Sequence, residues 1–200
     1  LGGTPLILEQ FVAFERELRI LGVRGASGER RFYPLVHNEH REGILRVTWA
    51  PAANASAALF ADAERFWALL MNHLDYVGVL ALELFAVGDR LFANEMAPRV
   101  HNSGHFSIEG AATSQFENHL RAILGLPLGG TRVPRPSAMV NLVGALPDRA
   151  AVLAVPGTHL HFYGKRPRPN RKVGHVTVVA DDVRELEARV AKLRTLPGAR

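Results

Sequence analysis

Two glutamates at unusual positions could together bind a metal ion. Glu83 interrupts the apolar run of residues 79–85, and glutamate is rarely buried without a partner. Glu95 follows on the predicted return strand, and a hairpin at residues 88–89 would bring both carboxylates to one face. Facing carboxylates repel unless a cation lies between them, and these oxygen ligands, with Asn94 adjacent, suit Mg²⁺. The alternative is a salt bridge from Glu83 to an arginine, with Glu95 exposed at the end of its strand.

The segment directly after Glu95 is rich in hydrogen-bond donors. Residues 99–105, called the anion loop below, contain a guanidinium, two imidazoles, an amide and a hydroxyl. Such a loop can surround a small anion. Zinc is disfavoured, because the segment between His101 and His105 contains Gly104, has no helical pattern and holds no glutamate. The alternative is a solvated polar loop.

A run of basic residues near the end of the chain could bind phosphate. Five of them fall within residues 165–172, in a chain whose formal net charge is +5. They are Lys165, Arg166, Arg168, Arg171 and Lys172. A basic surface can hold nucleic acid or a small phosphorylated molecule, but no aromatic residue lies inside this run to stack on bases. A solvated charged loop is the third interpretation.

The composition excludes several classes of protein. With 200 residues, 48% hydrophobic and 22% charged, the chain is neither a disordered tail nor a collagen-like or coiled-coil rod. No apolar run approaches the ~20 residues that a membrane span requires. The chain contains no cysteine, so a disulfide framework, a Cys-ligated zinc and a thiol nucleophile are all excluded.

The elements that must position these groups are predicted from hydrophobic periodicity and turn residues. We predict strands over residues 6–12, 16–24, 31–33, 44–49, 76–86, 91–97, 139–143, 159–163 and 173–179. We predict helices over residues 57–73 and 114–124 and a last helix from residue 181 or 182, with a polar loop over 37–43. Glycines 129–130 and Pro134 mark a boundary. The order predicts an α+β chain with a small β-rich second domain.

Several separated motifs together resemble one enzyme family. Residues 94–105, 113–117 and 124–129 are similar to the 5-(carboxyamino)imidazole ribonucleotide synthases, which are ATP-grasp enzymes of purine biosynthesis. The resemblance continues at residues 9–17 and, on further strands, at 32–35, 43–46 and 168–175. It covers the whole chain in order.

The resemblance implies a fold and a reaction. The fold would be the C-terminal half of an ATP-grasp domain over residues 1–128, followed by a small β-rich domain over 129–200. ATP would phosphorylate bicarbonate to carboxyphosphate, and the carboxyl group would pass to the exocyclic amine of 5-aminoimidazole ribonucleotide. Such enzymes depend mainly on positioning and on neutralising charge. The resemblance also implies a cytoplasmic homodimer without nucleic-acid or membrane partners.

The resemblance further assigns roles to individual residues. Glu83 and Glu95 would hold Mg²⁺ between the ATP phosphates, with Asn94 on the phosphate side. The other nucleotide contacts would come from Glu9, Gln10, Phe11 and Val12 at the adenine, Glu17 at the ribose and His40 nearby. Arg99, His101 and Asn102 would line the bicarbonate and carboxyphosphate site. Lys165, Arg171 and Lys172 would bind the 5′-phosphate of the ribonucleotide, whereas Arg166 and Arg168 are interpreted as surface charge and His159, His161 and His175 as packing residues.

Two other functions stay open from the sequence. One is a different ATP-grasp carboxylase or ligase, and the other is a non-catalytic nucleotide- or nucleic-acid-binding module, which a pI near 10.2 permits. The start at Leu1, inside the expected nucleotide site, predicts that the family's front part is absent here. Residues 1–200 alone are therefore expected to show no carboxylation.

Overall fold

One sheet of nine antiparallel strands organises the computed structural model, which describes residue 3 and residues 5–199. The strands are β1 (Arg16–Arg24), β2 (Arg30–Phe32), β3 (Val36–Arg41), β4 (Ile44–Ala50), β5 (Gly78–Val87), β6 (Arg90–Ala97), β7 (Ser137–Val143), β8 (Thr158–Phe162) and β9 (Lys172–Val179). Their order is β6-β5-β1-β3-β4-β7-β9-β8, and β2 pairs with β1. The sheet therefore runs without a break from the segment of the two glutamates to the basic run.

Within residue 3 and residues 5–199, five helices pack on this sheet. They are α1 (Ala57–Leu74), α2 (Ser107–Gly110), α3 (Gln115–Ile123), α4 (Arg149–Leu153) and α5 (Val183–Leu193), with a short 3-10 turn at Asn102–Gly104. Side-chain oxygens of Ser56, Ser114 and Asp182 cap α1, α3 and α5 by accepting backbone N–H groups. Within the described part of the chain, no helix is both long enough and apolar enough to cross a membrane.

Two of the apolar clusters in the described residues hold α1 and α5 to the sheet. Around α1, Trp67 and Met71 are fully buried among leucines of β1 and β5, and the Trp67 indole N–H donates to the Leu80 carbonyl. Around α5, Leu186 and Val190 pack on the valines of β7 and β9. The predicted α+β class is confirmed by this arrangement. The boundary near residue 129 stays a prediction, and β4 pairs directly with β7 across it.

Two secondary-structure predictions are wrong. Residues 6–12 form no strand: they lie outside the sheet and are mostly exposed, because no neighbouring strand pairs with them in the described residues. Residues 37–43 are not a loop but most of β3 and its turn into β4. Alternate residues of β3 face inward, and Asn38 is buried because its amide oxygen accepts from the Thr48 hydroxyl. The turn falls at Glu42 and Gly43, which both have positive φ.

Candidate functional site

A β-bulge between β5 and β6 brings the two glutamates together. The pairing register shifts between Leu82 and Leu84, so Asn94 and Glu95 on β6 both stand opposite the single residue Glu83 on β5. The carboxylate of Glu83 is partly buried, whereas Glu95 is exposed. We call these three residues the carboxylate bulge. Glu83 and Glu95 therefore lie close together, as predicted, and Asn94 lies beside them.

Arg19, on β1, is a cation of this site that the sequence interpretation missed. It pairs directly with Glu83 across the β1–β5 ladder and forms an ion pair with it. Its side chain is only 2% exposed. Burial lowers the pKa of Arg19, and the carboxylates of Glu83, Glu17 and Glu95 oppose that change. The salt bridge that sequence reasoning offered as the alternative to a metal is thus present. The available signal was an arginine between Leu18 and Ile20 in an apolar strand.

The side-chain oxygens of the carboxylate bulge can hold Mg²⁺ only if a bound molecule supplies further oxygen ligands. No cluster of three or more His, Cys, Asp or Glu side chains placed to hold a metal occurs among residue 3 and residues 5–199. Mg²⁺, however, is commonly held by one or two carboxylates together with phosphate oxygens and water. Glu95 has no ion-pair or side-chain hydrogen-bond partner in the described residues, and Glu83 would be shared with Arg19. The metal-ligand roles of Glu83 and Glu95 stay predictions.

His101, at the start of the 3-10 turn, presents a neutral N–H toward the carboxylate bulge. Its Nδ1 lies 2.9 Å from Arg19 Nη1 and 3.3 Å from the Ser103 backbone nitrogen. Both groups can only donate, so Nδ1 accepts and the ring hydrogen resides on Nε2. Burial lowers the pKa of His101 to about 3, and the charges of Arg19, Arg99 and Lys172 act in the same direction. Nε2 lies 3.9 Å from Glu83 Oε1.

The other two predicted catalytic residues frame His101 in the anion loop. The Asn102 amide forms a reciprocal pair with the Asn141 amide, with nitrogen–oxygen distances of 3.0 and 2.6 Å. Asn141 is fully buried on β7 and also donates to the Leu45 carbonyl, so the amide of Asn102 is held in one orientation. Arg99 is exposed. The anion loop therefore offers an open guanidinium beside two fixed neutral donors, a set suited to a small oxyanion.

The three predicted phosphate-binding residues line one cleft of about 510 Å³. We call it the basic cleft; its walls are Gly43, Ile44, Lys165, Arg168, Pro169, Asn170, Arg171 and Lys172. Arg168, interpreted from the sequence as surface charge, is one of these residues. The charge of Lys172 also lowers the pKa of His101 and of His105 in the anion loop. Burial, followed by the charge of Arg19, lowers the pKa of Lys172 itself.

The predicted adenine segment lies beside the carboxylate bulge. A pocket of about 220 Å³ is lined by Glu9, Gln10, Phe11, Val12, Phe14, Phe85, Ala93 and Asn94. Phe14 stacks on Phe85 with a centroid distance of 4.3 Å. All four predicted adenine contacts and Asn94 therefore share one pocket, although the segment is not a strand.

Glu17 and His40, both predicted to lie at the nucleotide, contact each other. His40 Nδ1 meets Glu17 Oε2 across neighbouring strands β1 and β3. Burial lowers the pKa of His40 to about 4, and burial and then the charge of Glu83 raise the pKa of Glu17. The pair lies close enough to the carboxylate bulge for the charges to interact.

His105 of the anion loop lies beside the stacked rings of His161 and His175, and the three are called the histidine stack below. The rings of His161 and His175 are parallel, with centroids 4.4 Å apart, and His105 lies 5.0 Å from His175. Tyr163 Oη is 2.8 Å from His175 Nδ1, and His161 Nε2 is 2.7 Å from Glu109. His161 and His175 thus make the packing contacts that were predicted. His159, which was also interpreted as a packing residue, is exposed.

We predict that this stack makes the fold sensitive to acid. Burial lowers the pKa of His105 to about 4 and that of His175 to about 2, from an ordinary value of 6.5. Below pH 6.5 the unfolded chain therefore binds protons that the folded chain does not. The free energy of unfolding should fall as pH falls, down to about pH 4 for His105 and about pH 2 for His175, by up to about 1.4 kcal/mol per pH unit for each histidine.

Urea unfolding at pH 7.5, 6 and 5 measures this slope. His175→Phe keeps a ring in the stack and removes one titrating group. The free energy of unfolding of this variant should therefore fall less steeply with falling pH, by up to about 1.4 kcal/mol per pH unit. Equal slopes for the variant and the original chain would show that His175 titrates normally in the folded state.

Two family models match the chain. Residues 1–116 match the model described as the ATP-grasp domain, and residues 137–189 match the phosphoribosylaminoimidazole carboxylase C-terminal domain. The chain is 53% identical over 196 residues to the N5-carboxyaminoimidazole ribonucleotide synthase of Pseudomonas aeruginosa, covering 98% of this chain and 54% of that protein. It is 47% identical over 188 residues to the Escherichia coli enzyme of the same name, covering 94% and 52%.

The chain is also similar to solved structures of enzymes with this name. The N5-carboxyaminoimidazole ribonucleotide synthetase of Thermus thermophilus superposes with a TM-score of 0.96 at 60% identity, covering 98% of this chain and 55% of that one. A synthase of Aspergillus clavatus, in complex with ADP and 5-aminoimidazole ribonucleotide, gives a TM-score of 0.83 at 35% identity, covering 90% and 50%. The chain spans about half the length of the curated relatives it matches.

Proposed function

The chain belongs to the ATP-grasp family, and from that membership and its similarity to N5-carboxyaminoimidazole ribonucleotide synthases we propose that it forms part of an enzyme that carboxylates 5-aminoimidazole ribonucleotide. The reaction would use ATP and bicarbonate and yield N5-carboxyaminoimidazole ribonucleotide for purine biosynthesis. The observation that carries the proposal is the anion loop, whose donors adjoin the carboxylate bulge and lie within range of the charge of the basic cleft. His101 Nε2 is 3.9 Å from Glu83 Oε1, and the charge of Lys172 lowers the pKa of His101.

The first step would form carboxyphosphate. A bicarbonate oxygen attacks the γ-phosphorus of ATP, the bond from that phosphorus to the bridging oxygen of ADP breaks, and ADP leaves. The Arg99 guanidinium, the His101 Nε2–H and the Asn102 amide would donate to the oxygens of the bicarbonate. Because His101 is neutral and its ring is oriented by Arg19, its Nε2–H would donate a hydrogen bond to the anion without transferring the proton.

Mg²⁺ held by Glu83 and Glu95 would neutralise charge on the ATP phosphates. Glu9, Gln10, Phe11 and Val12 would contact the adenine, Glu17 would lie at the ribose, and His40 would lie close to the nucleotide. Support for these roles comes from the pocket that joins the adenine segment to Asn94 and from the contact between Glu17 and His40.

The second step would transfer the carboxyl group. The exocyclic amine forms a bond to the carboxyl carbon, the bond from that carbon to the phosphate oxygen breaks, and the leaving phosphate takes up the proton that the amine loses. Lys165, Arg171 and Lys172 would hold the 5′-phosphate of the ribonucleotide in the basic cleft. The three cations converge on one cleft of suitable charge, which supports this assignment.

Further parts of the proposal rest on the sequence resemblance. They are a homodimer, a cytoplasmic location, Mg²⁺ as the metal, and the absence of nucleic-acid or membrane partners. The division into residues 1–128 and 129–200 is also proposed, supported by family matches that end at 116 and resume at 137.

Isotope transfer tests the proposed reaction in an enzyme of full family length that contains this chain. With oxygen-18-labelled bicarbonate, one labelled oxygen should appear in the released phosphate, because the attacking oxygen stays on phosphorus when the carbon–oxygen bond breaks. Mass spectrometry of the phosphate measures the label. Turnover that depends on 5-aminoimidazole ribonucleotide but releases unlabelled phosphate would contradict the carboxyphosphate route, and absence of bicarbonate-dependent turnover would contradict the function.

A further inference from the structure

Gln115 is a buried residue that no step of the proposed reaction uses. It begins α3, is fully buried, and lies in the motif of residues 113–117. Its side-chain oxygen accepts the backbone N–H of His101 at 2.9 Å, and its side-chain nitrogen donates to the His101 carbonyl at 2.6 Å. A backbone N–H only donates and a carbonyl only accepts, so these two bonds fix the orientation of the amide.

The same side chain also contacts His105, the anion-loop residue that belongs to the histidine stack. The Gln115 nitrogen lies 3.0 Å from His105 Nδ1, which must accept because an amide nitrogen only donates. The Gln115 backbone N–H donates to the Ser107 hydroxyl, which donates to the Gly104 carbonyl. A side chain on Gly104 would overlap Gln115, so the loop packs on this amide without a gap. Gln115 therefore contacts the anion loop at residues 101, 104 and 105.

We infer that Gln115 is a positioning residue for the proposed anion site: it holds the His101 backbone so that the flanking Arg99 and Asn102 side chains and the His101 imidazole converge on one oxyanion. The inference rests on the function proposed above. It follows from the geometry because His101 is the central member of the three donors and both of its backbone polar groups are bound to one side chain. A shift of this backbone would move all three donors at once.

The chain contains a matched control one turn further along the same helix. Asn118 is also fully buried, and its amide also binds both backbone groups of one residue, Gly129, at 2.8 and 3.3 Å. A third bond joins it to the Tyr33 hydroxyl at 2.9 Å. Asn118 thus makes the same kind and number of bonds as Gln115, but to a segment outside the anion loop. If Gln115 had a purely structural role, removal of either amide would change stability and catalysis to the same extent.

The test compares Gln115→Met with Asn118→Leu, each of which keeps the size of the side chain and removes its polar atoms. In the full-length enzyme, Gln115→Met should raise the KM for bicarbonate about tenfold to a hundredfold and leave the KM for ATP within about twofold. It should also raise the number of ATP molecules hydrolysed per carboxylated product. Both substitutions should lower thermal stability by a similar amount. Asn118→Leu should leave unchanged the KM for bicarbonate and the number of ATP molecules hydrolysed per product.

A second readout needs no turnover. In this chain, hydrogen exchange followed by NMR should show faster exchange of the His101 amide in Gln115→Met and of the Gly129 amide in Asn118→Leu. If Gln115→Met does not fold, Gln115→Glu keeps the acceptor for the His101 N–H and loses the donors, so it should raise the KM for bicarbonate too. Equal bicarbonate KM values in the Gln115 and Asn118 variants would overturn the inference. A wild-type enzyme without bicarbonate-dependent turnover would instead overturn the proposed function.

Discussion

Replacing Glu95 by glutamine in the full-length enzyme should lower ATP turnover about a hundredfold or more and leave the fold intact. The substitution removes one negative charge from the proposed metal site and keeps the volume of the side chain. Glu95 is exposed on β6 and has no ion-pair partner in the described residues, so little of the folded structure depends on its charge. Steady-state ATP hydrolysis at rising Mg²⁺ concentration and a thermal melt measure the two parts of this expectation.

Glu187 provides the control for this substitution. It is an exposed glutamate on α5, distant in the fold from the carboxylate bulge, so Glu187→Gln should leave turnover unchanged. Glu83→Gln is less informative, because Glu83 neutralises the buried Arg19 and its loss would also destabilise the fold. A near wild-type rate for Glu95→Gln at saturating Mg²⁺ would remove Glu95 from the metal site.

The proximity of the two glutamates could be predicted because it depends on local sequence. A short turn at residues 88–89 between two apolar strands fixes a hairpin, and the hairpin brings Glu83 near Glu95. The bulge that adds Asn94 could not be predicted, since one extra residue in a strand leaves no mark in the hydrophobic pattern. Arg19 was missed for a different reason. Its partner Glu83 lies on a strand 64 residues later, and pairing over that distance is set by the sheet as a whole.

The two errors in secondary structure show the limit of composition as a guide. Residues 6–12 are apolar enough for a strand, but a strand also needs a neighbour to pair with, and Leu8 is fully exposed. Residues 37–41 are polar, yet they pair with β4, and Asn38 and Thr48 satisfy each other's hydrogen-bonding groups inside the sheet. The type of a polar residue does not show whether it is exposed to water or buried with a specific hydrogen-bond partner.

Lys172→Ala in the full-length enzyme should raise the KM for 5-aminoimidazole ribonucleotide about tenfold to a hundredfold, the equivalent of losing one charged contact of roughly 1.5–3 kcal/mol. Lys172 is the residue of the basic cleft whose charge also reaches His101 and His105. Lys172 is partly buried, and burial and then the charge of Arg19 lower its pKa, so a bound phosphate would offset both the lost hydration and the repulsion between the two cations. Arg171→Ala, in the same cleft, should change the same constant.

Lys165→Ala is the matched control, because Lys165 lines the same cleft but is exposed and lies 5.2 Å from the Tyr163 ring. An exposed ammonium gains less from a phosphate than a partly buried one, since water already solvates and screens it. The KM for the ribonucleotide should therefore rise less in Lys165→Ala than in Lys172→Ala, and the KM for ATP should stay unchanged in both. Should the KM for ATP rise while that for the ribonucleotide stays constant, Lys172 binds the nucleotide phosphates, and the basic cleft continues the ATP site instead of holding the second substrate.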